Sequence, residues 1–125
     1  MRTPILKQNK ILIASVQGSL SDADLMQLRD DLGASVRLHR ATGVVVDVTL
    51  LDVMDSFAAR TLRGIAQMSR LLGAKSIIVG IQPEVAFAMV QLGLTLEGIT
   101  TALDLEEALA ILADSSHREE RPDER

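Results

Sequence analysis

The chain has no cysteine, tryptophan or tyrosine, and two phenylalanines are its only aromatic side chains in 125 residues. Without cysteine there is no disulfide, no thiolate nucleophile and no cysteine-based zinc site, so a disulfide-stapled secreted scaffold is excluded and a reducing compartment is permitted. Near-absence of aromatics removes base stacking, and a net charge of −4 with no basic stripe removes phosphate neutralisation. Nucleic acid is therefore not an expected partner. No run approaches the ~18 consecutive apolar residues of a spanning helix, and Met1-Arg2-Thr3-Pro4 leads into no signal-type apolar segment. The expectation is a soluble, cytoplasmic protein that does not engage a membrane.

What the chain does have is aliphatic mass. Hydrophobic residues make up 47 %, supplied by Leu, Ile, Val, Ala and Met, in a length that suits one domain with a single core. Ile11–Val16, Val44–Val48 and Ser76–Gly80 are short runs rich in β-branched residues, the pattern of strands buried on both faces.

Helical patterns lie between these runs. Ser21 or Asp22 caps a helix through Leu25, Leu28, Leu32 and Val36, with Gly43 as its stop. After Asp55, Phe57, Leu62, Ile65, Ser69 and Leu72 share one side of a second helix, opposite Arg60, Arg63, Gln67 and Arg70; Gly73 closes it. Pro83 opens a third helix through Val85, Ala88, Met89 and Leu92, ended by Gly93. Ile99–Thr101 suggests a short edge strand, and an Asp104/Glu107 capping box precedes a fourth helix through Leu105, Leu109 and Leu112.

This alternation predicts an α/β fold: a mixed, mostly parallel central sheet, with an antiparallel N-terminal strand pair near Ile5–Leu6 and Ile11–Val16, and about four helices packed against it. Residues 1–113 form the domain. Residues 114–125, polar and containing Pro122, are expected to be a disordered tail.

Few residues offer chemistry. Ser56 stands where a buried strand has ended and a helix begins, facing unpaired backbone N–H groups and the positive end of the helix dipole. Two readings stay open on pattern alone: Asp55 caps the helix and Ser56 merely occupies a tolerated first position, or Ser56 accepts a phosphate. Added phosphate would bring about −1.5 to −2 charge, favoured by the helix terminus and opposed by Asp52 and Asp55. Arg60, one turn on, is either a solvated or interface arginine or a partner for that phosphate or for Asp55. Thr49, at a strand exit, is a second hydroxyl within a kinase's reach or an ordinary strand-end threonine.

Asp47, Asp52 and Asp55 invite comparison with a magnesium-binding phosphoacceptor site, but the first strand ends in Ser15-Val16-Gln17 without an acidic pair, and Lys75 precedes its strand. Gly73-Ala74-Lys75-Ser76 lacks the Gly-Lys-Ser adjacency of a phosphate-binding loop and precedes a strand. His39 and His117 are unrelated in position. The reading is of no metal, no cofactor and no catalytic group.

With these elements placed, the chain resembles the STAS domain family over about residues 4–112, and within it the small scaffold proteins of the bacterial stressosome. The resemblance rests on Val44-Val45-Val46-Asp47-Val48-Thr49 running into Asp52-Val53-Met54-Asp55-Ser56-Phe57, on Leu72-Gly73-Ala74-Lys75, on Gly80-Ile81-Gln82-Pro83-Glu84-Val85-Ala86, and on Leu92-Gly93-Leu94. Anti-sigma-factor antagonists of the same fold usually show Asp-Ser-Ser-Gly, whereas Phe57 follows Ser56 here; that branch is the alternative. The resemblance implies a non-enzymatic scaffold that sequesters an RsbT-like serine/threonine kinase. Ser56 would be the phosphorylated residue and Asp55 its motif flank, with Asp52, Phe57 and Arg60 at the kinase interface. It further implies RsbR-like STAS paralogues as partners, a phosphatase acting on Ser56, and homodimers within a large assembly.

Overall fold

A computed structural model describes residues 3–18, 20–96 and 98–119. The elements run β1 (Ile5–Gln8), β2 (Ile11–Ser15), α1 (Asp22–His39), β3 (Gly43–Asp47), α2 (Ser56–Leu71), β4 (Lys75–Val79), α3 (Pro83–Leu92), β5 (Thr100–Ala102) and α4 (Leu105–Glu119). The five strands lie in sequential order; β1 pairs antiparallel with β2 and every later neighbour is parallel. The expected α/β class, the N-terminal antiparallel pair and the four helices are all present, with strand limits shifted by about one residue.

Alternation along β3 explains the layering. Val44, Val46 and Val48 face one side with Leu12, Ala14, Val16 and Ile78, where α1, α2 and α3 close the main core. Val45 faces the other side with Ile13, Ile77 and Val79, beneath Ala108 and Leu112 of α4. Successive strand residues point to opposite faces, so a continuous valine run is what a doubly covered strand requires. Each such valine contributes about 1.5–3 kcal/mol relative to an exposed one.

Most of the helix punctuation is as the residues suggest. The Ser21 side chain accepts from Asp24 N–H while Asp24 reaches back to Ser21 N–H, a complete capping box. Gly73 and Gly93 take left-handed conformations behind α2 and α3. Asp104 accepts from Glu107 N–H, and the Glu107 carboxylate accepts from Leu103 N–H.

Three readings change. Gly43 does not stop α1: Arg40, in the left-handed region at φ 51°, does so, and its N–H donates to Val36 O. Gly43 opens β3 instead, where a Cβ would sit 2.8 Å from Leu112 Cδ1, so the missing side chain lets α4 approach the sheet. On α3, Val85 and Met89 are buried, but Ala88 and Leu92, read as core, are exposed. Finally, α4 continues through Glu119, past the point where a disordered tail was expected to start, and no glycine or proline lies between Leu105 and Glu119 to end it sooner. Residues 120–125 of that tail lie outside the described residues.

Candidate functional site

Each helix crosses back antiparallel to its strand, so all four helix N-termini gather at the edge where β2, β3, β4 and β5 end. Acidic residues occupy the first turns of three: Asp22 and Asp24 in α1, Glu84 in α3, Glu106 and Glu107 in α4. They complement the positive ends of the helix dipoles. The first turn of α2 carries none. Its first residue is Ser56.

The approach to Ser56 is a loop pinned at two points. Leu51 and Met54 are buried in the main core, which turns Leu50, Asp52, Val53 and Asp55 outward. Asp55 is the N-cap: its carboxylate accepts from Ala58 N–H at 2.8 Å and its carbonyl from Ala59 N–H at 3.0 Å. Ser56 is exposed, and its hydroxyl makes no hydrogen bond among the described residues. Phe57 is half-buried against the core, and its carbonyl accepts from Thr61 Oγ1. Arg60 is exposed and pairs with neither Asp55 nor any other described residue.

Thr49 also sits on this edge, in different chemical surroundings. Its hydroxyl donates to Asp47 Oδ1 at 2.6 Å, and its N–H donates to the same oxygen at 2.9 Å. Gln82 Nε2 donates to the Thr49 carbonyl at 2.6 Å, tying the loop after β3 to the start of α3. Gly80, at φ 80°, makes the arrangement possible, because a Cβ there would collide with Thr49 Oγ1. Asp47 is consumed in holding the loop.

Asp52, Asp55, Ser56, Phe57, Arg60 and Thr49 thus come to one edge of the sheet, as their spacing after β3 suggests. Sequence reasoning missed the roles of Gly80 and Gln82 in holding Thr49; the only signal was the Gly-Ile-Gln-Pro-Glu block itself. Among the described residues, no group of three or more His, Cys, Asp or Glu is placed to hold a metal ion. No helix among them is long and apolar enough to cross a membrane.

The STAS domain model matches residues 3–108. The chain belongs to the STAS domain family. A serine-to-glutamate variant of RsbS from Moorella thermoacetica is similar in structure, with 30 % identity and a TM-score of 0.79 over 92 % of this chain and 97 % of that one. A chain from a structure of the stressosome, described as a signal integration and transduction hub, matches at 33 % identity and TM-score 0.77, covering 90 % and 98 %. By sequence, the RsbT co-antagonist protein RsbRA of Bacillus subtilis is 27 % identical over 108 residues, 86 % of this chain. The chain spans 39 % of RsbRA's length. Stressosome proteins of the RsbR and RsbS kinds are therefore relatives of this STAS domain.

Proposed function

We propose that this STAS domain is a non-enzymatic, cytoplasmic scaffold of a stressosome-like complex that sequesters an RsbT-like serine/threonine kinase and is switched by phosphorylation of Ser56. The observation that carries the reading is Ser56 itself: exposed, next to the Asp55 cap, at the head of a first turn that holds no acidic residue of its own, and with an unengaged hydroxyl.

The mechanism follows from charge. A phosphate on Ser56 gains from the N-terminal dipole of α2, yet it adds to an edge already carrying Asp52, Asp55 and Glu84. The fold tolerates this because every group concerned is exposed. A docked surface tolerates it less, since like-charge repulsion and the cost of desolvating a dianion fall on the bound state alone. A kinase surface resting on Leu50, Val53, Phe57 and Arg60 would be displaced while the domain stays folded. Loss of about 2–3 kcal/mol, the upper range of ordinary coupling energies, corresponds to roughly 30- to 150-fold weaker binding.

Asp55 then has two duties: it caps α2 and flanks the phosphorylated serine. RsbR-like paralogues, a phosphatase acting on Ser56, and a homodimer within a large assembly complete the reading, supported by the kinship with RsbRA and with stressosome structures. Kinase capture tests it. Ser56→Ala is expected to retain the kinase in the presence of ATP, and Ser56→Asp to release it with an unchanged circular dichroism spectrum. Equal retention by wild type and both variants would sink the switch. Recovery of an anti-sigma factor, with no kinase or paralogue, would instead support the antagonist alternative.

A further inference from the structure

The edge at which the four helices begin is acidic, so a phosphate placed there calls for a counter-charge. Asp52 and Asp55 precede Ser56, Glu84 stands in the first turn of α3, and Asp22 and Glu106 stand in the first turns of α1 and α4. Most of the described cations lie at the opposite edge: Lys10, Arg37, Arg40, Arg70 and Lys75 gather where β3 and β4 begin and α1 and α2 end. Arg29 is paired with Asp30, and Arg63 Nη1 donates to the Thr95 carbonyl at 2.6 Å. Arg60 is different. It is exposed one turn after Ser56, with no ion pair or hydrogen bond among the described residues.

The helix itself brings the two residues together. Positions four apart share a face, with Cβ atoms about 5–6 Å from each other. A long side chain on a helix leans back toward the N-terminus, which carries the Arg60 stem toward the turn that holds Ser56. An anion four residues ahead of a cation is also the order that agrees with the helix dipole. One turn beyond Arg60 stands Gly64, where even a Cβ would meet nothing within 4 Å, so no side chain hems the arginine in from behind. A planar guanidinium can then give two N–H bonds to phosphate oxygens.

We infer that Arg60 is the internal counter-ion of phosphorylated Ser56, and that the state of the serine decides what Arg60 binds. While Ser56 is unmodified, the guanidinium is free to meet an acidic group of the docked kinase. Once Ser56 carries phosphate, the guanidinium turns back one helical turn and is withdrawn from the docking face. The switch then removes an attraction as well as adding a repulsion. This inference rests on the proposed phosphorylation of Ser56 and assigns Arg60 its part in it.

The test uses the full chain with phosphoserine installed at position 56 during its synthesis, so that no kinase is needed. Phosphorus NMR follows the second ionisation of the phosphate. Its pKa is expected about half a unit lower in the wild type than in Arg60→Gln, with most of the difference kept by Arg60→Lys and narrowed by high salt. Arg63→Gln, which removes the same charge from the same helix at a site tied to Thr95, should match the wild type. Asp52, Asp55 and Glu84 raise the value and the helix terminus lowers it in every variant alike, so the difference isolates Arg60. Unphosphorylated Arg60→Gln should melt as the wild type does. In kinase capture, the installed phosphate should weaken binding by a smaller factor in Arg60→Gln than in the wild type. Equal phosphate pKa values in the wild type and Arg60→Gln, or an equal rise in Arg63→Gln, would overturn the counter-ion; equal factors in capture would overturn its withdrawal from the docking face. A kinase that leaves Ser56 unmodified would instead defeat the proposed function, with the phosphate titration unaffected.

Discussion

Thr49 and Ser56 are two exposed hydroxyls on one edge of one sheet, and they differ in what their neighbours allow. Thr49 gives its proton to Asp47, has its carbonyl held by Gln82 and is fitted against Gly80. Ser56 has an N-cap beside it, backbone N–H groups about it and no hydrogen-bond partner of its own among the described residues. Modifying Thr49 would break a bond to a carboxylate and set a phosphate against that same carboxylate; modifying Ser56 breaks nothing. Exposure alone does not make a phosphoacceptor, and the prior engagement of the hydroxyl separates the two.

That difference can be broken at several points. The largest effect is expected from Ser56→Ala, which should remove nearly all phosphate incorporated by the cognate kinase, whereas Thr49→Val should leave it close to wild type; radiolabel counting checks both. Next comes Gly80→Ala, which forces a side chain into Thr49 and imposes a left-handed backbone on alanine. A loss of about 1–3 kcal/mol in urea unfolding is expected, partly recovered in the double variant with Thr49→Ala or Thr49→Gly if the clash is the cause. Asp55→Ala removes the cap of α2 and should cost about 1 kcal/mol, with faster amide exchange in the first turn of α2. The smallest effect is a gain: a Cβ on Gly64 meets nothing within 4 Å, so Gly64→Ala should stabilise the domain by about 0.4–1 kcal/mol without altering phosphorylation.

Much of the architecture is legible in the residues, because the strands are valine and isoleucine runs and each helix carries its own start signal. Asp55 caps α2 as its position suggests, and the Ser21–Asp24 box needs only local sequence to be seen. What escapes a local reading depends on distant residues. Gly43 looks like a helix stop, yet its role is set by Leu112 from the far end of the chain. Leu92 falls at core spacing on α3, but only one stripe of that helix reaches the sheet, and periodicity cannot choose a stripe on a helix that is apolar all round. Thr49 reads as an ordinary strand-end residue until Gly80 and Gln82, on the next crossover, come to meet it. The position of Ser56 was readable from spacing; its freedom from hydrogen bonds was visible only in three dimensions.

The most direct test of the central claim is site mapping by mass spectrometry after incubation of the full chain with its cognate kinase and ATP. Ser56 should carry acid-stable phosphate while Thr49 remains unmodified. Phosphate on Thr49 or elsewhere with Ser56 bare, or acid-labile phosphate on Asp47 or Asp55, would contradict it.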